Sequence, residues 1–322
     1  FALLQNARTY FSISKTNADY VKQKIDNKLL NVFVHLLAYL LFAVYVLPVI
    51  VIVVFSFTNA TAIFEVRFSL SDLTLQNYVN VFSNRDRIEP FFNSINFSAL
   101  ASVGVVVVVL MGVHLHHKYD NLYTKFVEYS FLVPWMIPSL IIALGLLGAY
   151  DTPRLIMGNR VLIGTVAILV MAYIVSKIPM TSRLLKASYQ SIDSEYELAA
   201  RALGARGFYI FRRITLPLVF PTVVALAVLS FNSLLADYNL TVFLSHPLRE
   251  PLGLMIRRFT NVRADGDTQA LIYVYSTVLM AIAGVTVYLV YGVLLRVRDG
   301  RGRVRSQSRR NALAQARLSR VP

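Results

Sequence analysis

The sequence predicts an all-α membrane protein, with six transmembrane helices and one short amphipathic helix in a cytoplasmic loop. Three observations lead there. The 322 residues are 56% hydrophobic and only 15% charged, with a mean hydropathy of +0.57. A soluble domain carries about 25% charged residues, so a single water-soluble domain is excluded, and so is a disordered chain. Six stretches, 33–57, 94–114, 127–149, 161–179, 214–236 and 270–295, are apolar and long enough for a bilayer, which needs ~20 residues per helix. The charge is also segregated. With six spans, one side holds 1–32, 115–126, 180–213 and 296–322. That side, together with Lys177 and the membrane-edge Glu128, carries 23 of the 32 Lys and Arg residues and a net charge of +15, while the other side is neutral. The positive-inside rule makes the basic side cytoplasmic and places both termini there. This distribution removes most of the force of a nucleic-acid reading, because the basic excess orients a membrane protein.

The elements follow in chain order. Residues 1–32 are a polar, lysine-bearing lead-in and lack the pattern of a signal peptide. The chain starts with Phe, which suggests that it begins inside a longer gene product. Span one holds Pro48, tolerable where neighbours satisfy the freed carbonyl. The run Val105–Val109 in span two would suggest a strand in water, but lipid leaves an open strand unpaired, so a helix is expected. The short link 115–126 makes spans two and three antiparallel neighbours. Pro134 and Pro138 predict a kinked helix over 127–149. Lys177, near the end of span four, is expected to snorkel. The loop 180–213 holds "SIDSEYELAARALGARG". Ser194 and Glu197 have capping-box spacing; Tyr196, Ala199, Ala200 and Leu203 form one apolar face; and Gly204 suits a left-handed stop. The predicted helix is too short to be stable alone, so its apolar face should dock on something. From Arg296 to Arg320, nine basic residues make a tail suited to solvent or lipid headgroups.

Chemistry-bearing motifs are sparse. With no cysteine, thiol catalysis and cysteine metal sites are excluded. No G-x-x-x-x-G-K-[ST] phosphate cradle occurs, nor H-E-x-x-H, G-x-S-x-G or G-x-G-x-x-G. No catalytic residue and no metal site is therefore assigned. His114, His116 and His117 cluster at the inner end of span two, where a polar membrane boundary explains them without a metal. Asp237 closes span five, beside Tyr238 and Asn239. Asn232, Ser233, Asn93, Ser94 and Asn96 are further polar residues at or inside the spans. Such residues line a pathway or act as interhelical glue. On a regular helix Asn232 projects about 140° from Asp237, which favours Asp237 at an outer gate and Asn232 as glue. Pairing of Asp237 with Arg249 or Arg257 is the structural alternative.

The stretch "ELAARALGARGFYIFRRITLP" resembles the EAA loop of the inner-membrane permease subunits of binding-protein-dependent ABC importers. That signature reads E-A-A, three residues, G, nine residues, I, one residue, L-P. Ala199, Ala200, Gly204, Ile214, Leu216 and Pro217 match it at the right spacing. Leu198 stands where the family prefers Glu, with Glu197 one residue earlier. The resemblance implies the MetI-like fold, organised as lead-in or inter-half linker 1–32, transmembrane domain 33–296 with the coupling loop at 193–217, and tail 297–322. It implies an inner-membrane transport subunit, not an enzyme. This chain would bind no cofactor, and ATP would be used by a partner ATPase dimer. The other partners would be an extracytoplasmic substrate-binding protein, a second permease half or homologous subunit, and the lipid bilayer. "RLLKASYQSIDSEYELAARALGA" and "ADYNLTVFLSHPLREPLGLMIRRF" look most like ferric iron permeases, within a group that also imports polyamine, thiamine and sulfate. The lead-in looks like the linker of fused two-half permeases, so the chain is expected to be a second half. Two readings from other classes are weaker: an intramembrane enzyme, which lacks any paired acids or Ser/His set, and a nucleic-acid or lipid binder using the tail.

Overall fold

A computed structural model describes residues 27–65, 69–119, 121–155, 158–261, 267–290 and 292. Most of the lead-in, the whole tail 297–322 and the last residues expected of span six lie outside them. The chain divides into two units, 1–51 and 52–322. The described part of the first unit is the body of α1 (Lys28–Ser56). Its Leu29, Phe33, Leu36, Leu40, Tyr45 and Leu47 are all exposed, and apolar residues on every side are what lipid contact asks of a helix.

The second unit is built on α4 (Arg85–Lys118) and α7 (Val166–Gln190). The valine run is helical, as lipid requires. The two helices run parallel, which their register shows. Phe97 and Ala101 pack with Ile168, Leu169 and Tyr173, Gly104 faces Ile174, and Val109 and Val113 pack with Leu185 and Tyr189. At Gly104 an added Cβ would lie 2.6 Å from Ile174 Cδ1, so the missing side chain sets the spacing of the pair.

Between them lie α5 (Leu122–Leu132) and α6 (Ser139–Tyr150). A kinked third span was expected; the structure has two helices bent by 111°. Pro138 takes φ −54°, ψ 140°, an extended conformation that ends the helix outright, and Pro134 lies in a single 3₁₀ turn, Val133–Trp135. The broken pair still crosses. Parallel α4 and α7 need a return between them, and α6 packs on the Phe97 layer while Phe131 of α5 packs on the Val109 layer. Counted with the five long apolar helices among the described residues, the pair brings the crossings to six.

The fifth span is longer than expected. It runs from Gly207 to Leu234, as α9 (Gly207–Ile210), a π turn at Phe211–Thr215, and α10 (Leu216–Leu234). Leu216 N–H reaches back five residues to Phe211 O. The wide turn makes room for Pro217, which has no N–H to continue an α ladder. Span six is α13 (Asp267–Val290). Short helices α2 (Ala60–Phe64), α3 (Gln76–Phe82), α11 (Thr241–Leu244) and α12 (Leu252–Asn261) gather at the Phe97 end. Buried Asn77 ties that end together by donating to Ser56 O and Thr58 O at 3.2 and 2.7 Å. α8 (Ser194–Ala202) lies at the opposite end.

Candidate functional site: the α8 loop and the Asp237 corner

The α8 loop is built locally and then pinned. The expected Ser194–Glu197 capping box does not form. Asp193 is the N-cap, accepting Glu195 N–H at 3.1 Å, because its carboxylate serves the same orphan donors one position earlier. At the other end Gly204 has φ 82°. Gly204 N–H donates to Arg201 O at 2.9 Å and Ala205 N–H to Ala200 O at 3.0 Å, the two bonds of a Schellman stop.

Glu197, freed from capping, turns back to the helical body and is 19% exposed. Its Oε1 accepts Thr215 Oγ1–H at 3.2 Å and lies 3.5 Å from His117 Nε2. Its Oε2 is 3.7 Å from Arg201 Nη2. One carboxylate therefore joins α8, the end of α4 and the π turn before α10. The expected apolar face divides: Ala200 is buried, while Tyr196 and Leu203 stay exposed, as does Leu198. Ala199 is also exposed. Ile214 and Leu216 are half-buried and Pro217 is exposed. The loop thus presents an uncovered rim from a fixed base.

Sequence reasoning missed the base. His117 and Thr215 gave no separate signal, because their partner is distant in sequence. The three histidines go to different neighbours: His117 to Glu197, His116 to Glu128 Oε2 at 2.9 Å, and His114 to the Phe211 ring at 4.2 Å between centroids. Lys186 pairs with the other oxygen of Glu128. Among the described residues no group of three metal-ligating side chains occurs.

At the far end, Asp237 sits in the corner after α10. Its Oδ2 accepts Leu240 N–H at 3.0 Å, and its backbone O accepts Thr241 Oγ1–H at 2.7 Å. Thr241 Oγ1 also meets the Tyr173 hydroxyl at 2.7 Å. Burial raises the Asp237 carboxyl above its ordinary value, with the Leu240 N–H and the Lys177 charge pulling it back. Gly253 presses on this corner: an added Cβ would sit 2.5 Å from Asp237 O. Tyr238 carries Arg257 over its ring at 5.7 Å, so that arginine meets the tyrosine and not the carboxylate. Asn232 does not join the corner; its Oδ1 accepts Thr286 Oγ1–H at 2.9 Å, between α10 and α13. Ser94 and Asn93 tie α4 to α12, through Leu252 N–H to Ser94 Oγ at 2.8 Å and Asn93 Nδ2 to Glu250 O at 3.3 Å.

Fold and site together define a multi-pass helical membrane protein with a rigidly mounted loop helix at one end. The chain belongs to the family of binding-protein-dependent transport system inner membrane components, which matches residues 104–301. It is 37% identical over 272 residues to a probable ABC transporter permease protein, y4fN, of Sinorhizobium fredii, covering 84% of this chain and 48% of that protein. It is 28% identical to the Fe(3+)-transport system permease protein FbpB 2 of Haemophilus influenzae, over 63% of this chain and 38% of that one. The chain therefore spans about half the length, or less, of these relatives. Among solved structures it is similar to a bacterial alginate ABC transporter in complex with an alginate pentasaccharide-bound periplasmic protein. That match has a TM-score of 0.65, 18% identity, and coverage of 83% of this chain and 94% of the other; at this identity it speaks for the fold alone.

Proposed function

We propose that the chain is the transmembrane permease half of an ATP-driven, binding-protein-dependent importer, with ferric iron as its cargo. One observation carries the importer reading: α8 is fixed to the helical body through Glu197 while Tyr196, Leu198 and Leu203 remain uncovered. A helix this short that leaves its apolar residues in water needs a partner, and an ATPase subunit has the nucleotide chemistry this chain lacks. ATP-driven movement of such a partner would shift α8, and Glu197 would hand the motion to α4 and α10. A binding protein on the opposite side would deliver cargo near Asp237, and ATP and loaded binding protein would bias the same two states. The basic side of the chain, which includes α8, faces the cytoplasm in this reading.

Iron rests on the likeness to the ferric permease and on the hard oxygens of Asp237 and Tyr238. Polyamine, thiamine, sulfate or another small solute is the alternative cargo. The test is reconstitution of the full-length protein with an ATPase subunit and a ferric-iron-binding protein from the same organism. ATP hydrolysis stimulated by loaded binding protein, with uptake of ferric iron, is the expected result. Stimulation with uptake of another solute replaces the cargo, and absence of stimulation overturns the permease reading.

A further inference from the structure

Lys177 is a cation at a depth where the bilayer tolerates none without cause. In sequence it stands near the end of a span, where snorkelling is expected. The structure moves it inward. α7 continues to Gln190, and Gly104 of α4 lies against Ile174, so Lys177, three residues on, is level with the valine run of α4. The polar boundary at His114 is then roughly 10 Å further along the axis, at 1.5 Å per residue. That is more than a four-carbon stem covers, so the ammonium stays within the apolar slab.

The other cations of α7 have neighbours at close range. Arg183 lies over the Trp135 ring at 4.5 Å, and Lys186 meets Glu128. Among the described residues, no carboxylate lies within ion-pair distance of Lys177; Asp237 acts on it only through space. Its surroundings on α7 are informative. Tyr173, one turn before it, is buried and bonded to Thr241 beside Asp237. Met180 and Leu184, on the same side after it, are 60% and 42% exposed. Lys177 thus sits directly beneath the Asp237 corner, at the head of an uncovered face. Lipid against that face would strand the charge, and intramembrane cations of this kind face water-filled or protein-lined paths.

We propose that this face of α7 lines the translocation path and that Lys177 makes it a path for anionic cargo. The inference rests on the permease reading and narrows it: iron crosses as a negatively charged, oxygen-ligated chelate, and a bare polycation is disfavoured. Asp237, held by Leu240 N–H, lies near enough to act on Lys177 through space and leaves its three donors free for cargo.

The test uses the cysteine-free background. Met180→Cys and Leu184→Cys are introduced singly into the full-length protein in membrane vesicles and treated with an anionic or a cationic water-soluble thiosulfonate. The anionic reagent is expected to react faster by roughly ten-fold, the low end of electrostatic focusing in a charged cleft. The preference should fall to near unity with Lys177→Gln and persist with Lys177→Arg. Absence of labelling at both positions in the ATP-bound and nucleotide-free states shows that the face is not aqueous and overturns the proposal. So does a reagent preference that survives Lys177→Gln. Adding Asp237→Asn to Lys177→Gln separates the remaining alternative: if the double variant recovers the uptake lost in the single one, Lys177 only balances Asp237. ATPase stimulation by binding protein is measured in the same vesicles. Its absence with labelling intact counts against the permease reading and leaves the aqueous face standing.

Discussion

Asp237 is a half-buried carboxylate whose charged form is disfavoured, and the sign of that effect makes a prediction. Its folded-state pKa lies above the ordinary 3.8, chiefly through burial. A raised carboxyl pKa means that the folded chain binds the proton more tightly than the unfolded one. Its stabilising contribution is then present below pH ~3.8 and is lost as pH rises through the folded value. At neutral pH the ionised group is a cost to the fold, offset by the Leu240 N–H. Asp237→Asn keeps an oxygen for that N–H and removes the charge, so its thermal midpoint in detergent is expected to equal or exceed the wild type. With protein level held, a selective loss of uptake assigns the charge to the gate. Unchanged uptake removes Asp237 from the gate, and a fall in protein level that tracks uptake assigns it to holding the corner. Glu197 invites the opposite expectation. Glu197→Ala deletes the acceptor of Thr215 and the partner of His117, so stimulated ATP hydrolysis should drop while membrane insertion stays normal. Glu197→Gln keeps the Thr215 bond and should recover part of it. Equal activity in all three proteins would remove Glu197 from the coupling route.

At the scale of the element, α8 works only if its exit is fixed. Gly204 at φ 82° allows the two Schellman bonds, and an added Cβ would meet no atom within 4 Å. The penalty for Gly204→Val is therefore purely conformational, about 1–2 kcal/mol for a left-handed residue. That is small beside the stability of the whole domain, and it falls where α8 is aimed. Normal insertion with ATP hydrolysis no longer stimulated by loaded binding protein is expected. Full transport in this variant would falsify the assigned role of the loop. The broken span α5–α6 shows the same dependence on a few backbone angles. Periodicity over 127–149 reads as one helix, but the extended Pro138 splits it. Each half then packs on a different layer of the α4–α7 pair.

Across the whole molecule, six crossings and the charge segregation predict that 180–213 is inside and 237–269 outside. Single cysteines at Arg206 and Ser245 check this. From outside intact cells an impermeant thiol reagent should label position 245 and spare 206, and the reverse pattern overturns the orientation. The helical class, the six apolar stretches and the left-handed Gly204 were legible in the sequence because each rests on local physics: hydropathy over ~20 residues, or one residue's φ. The spacing of Ala199, Ala200, Gly204, Ile214, Leu216 and Pro217 likewise marked the loop. Contacts between distant residues were not legible. Glu197 meets Thr215 18 positions later and His117 80 positions earlier, and no pattern in either neighbourhood names the other. The apolar residues of α8 read as one face, yet tertiary packing buries Ala200 and leaves Tyr196 and Leu203 outside, because the body already covers one side of the helix. Depth was likewise undecided. Composition placed Lys177 at the end of a span, and only the parallel register of α4 and α7 put it level with the valines. The sequence by itself settled what is apolar and where the chain turns, since both follow from nearest neighbours. Which charges face each other, and which one has no carboxylate at ion-pair distance among the described residues, depended on helices brought together across tens of residues.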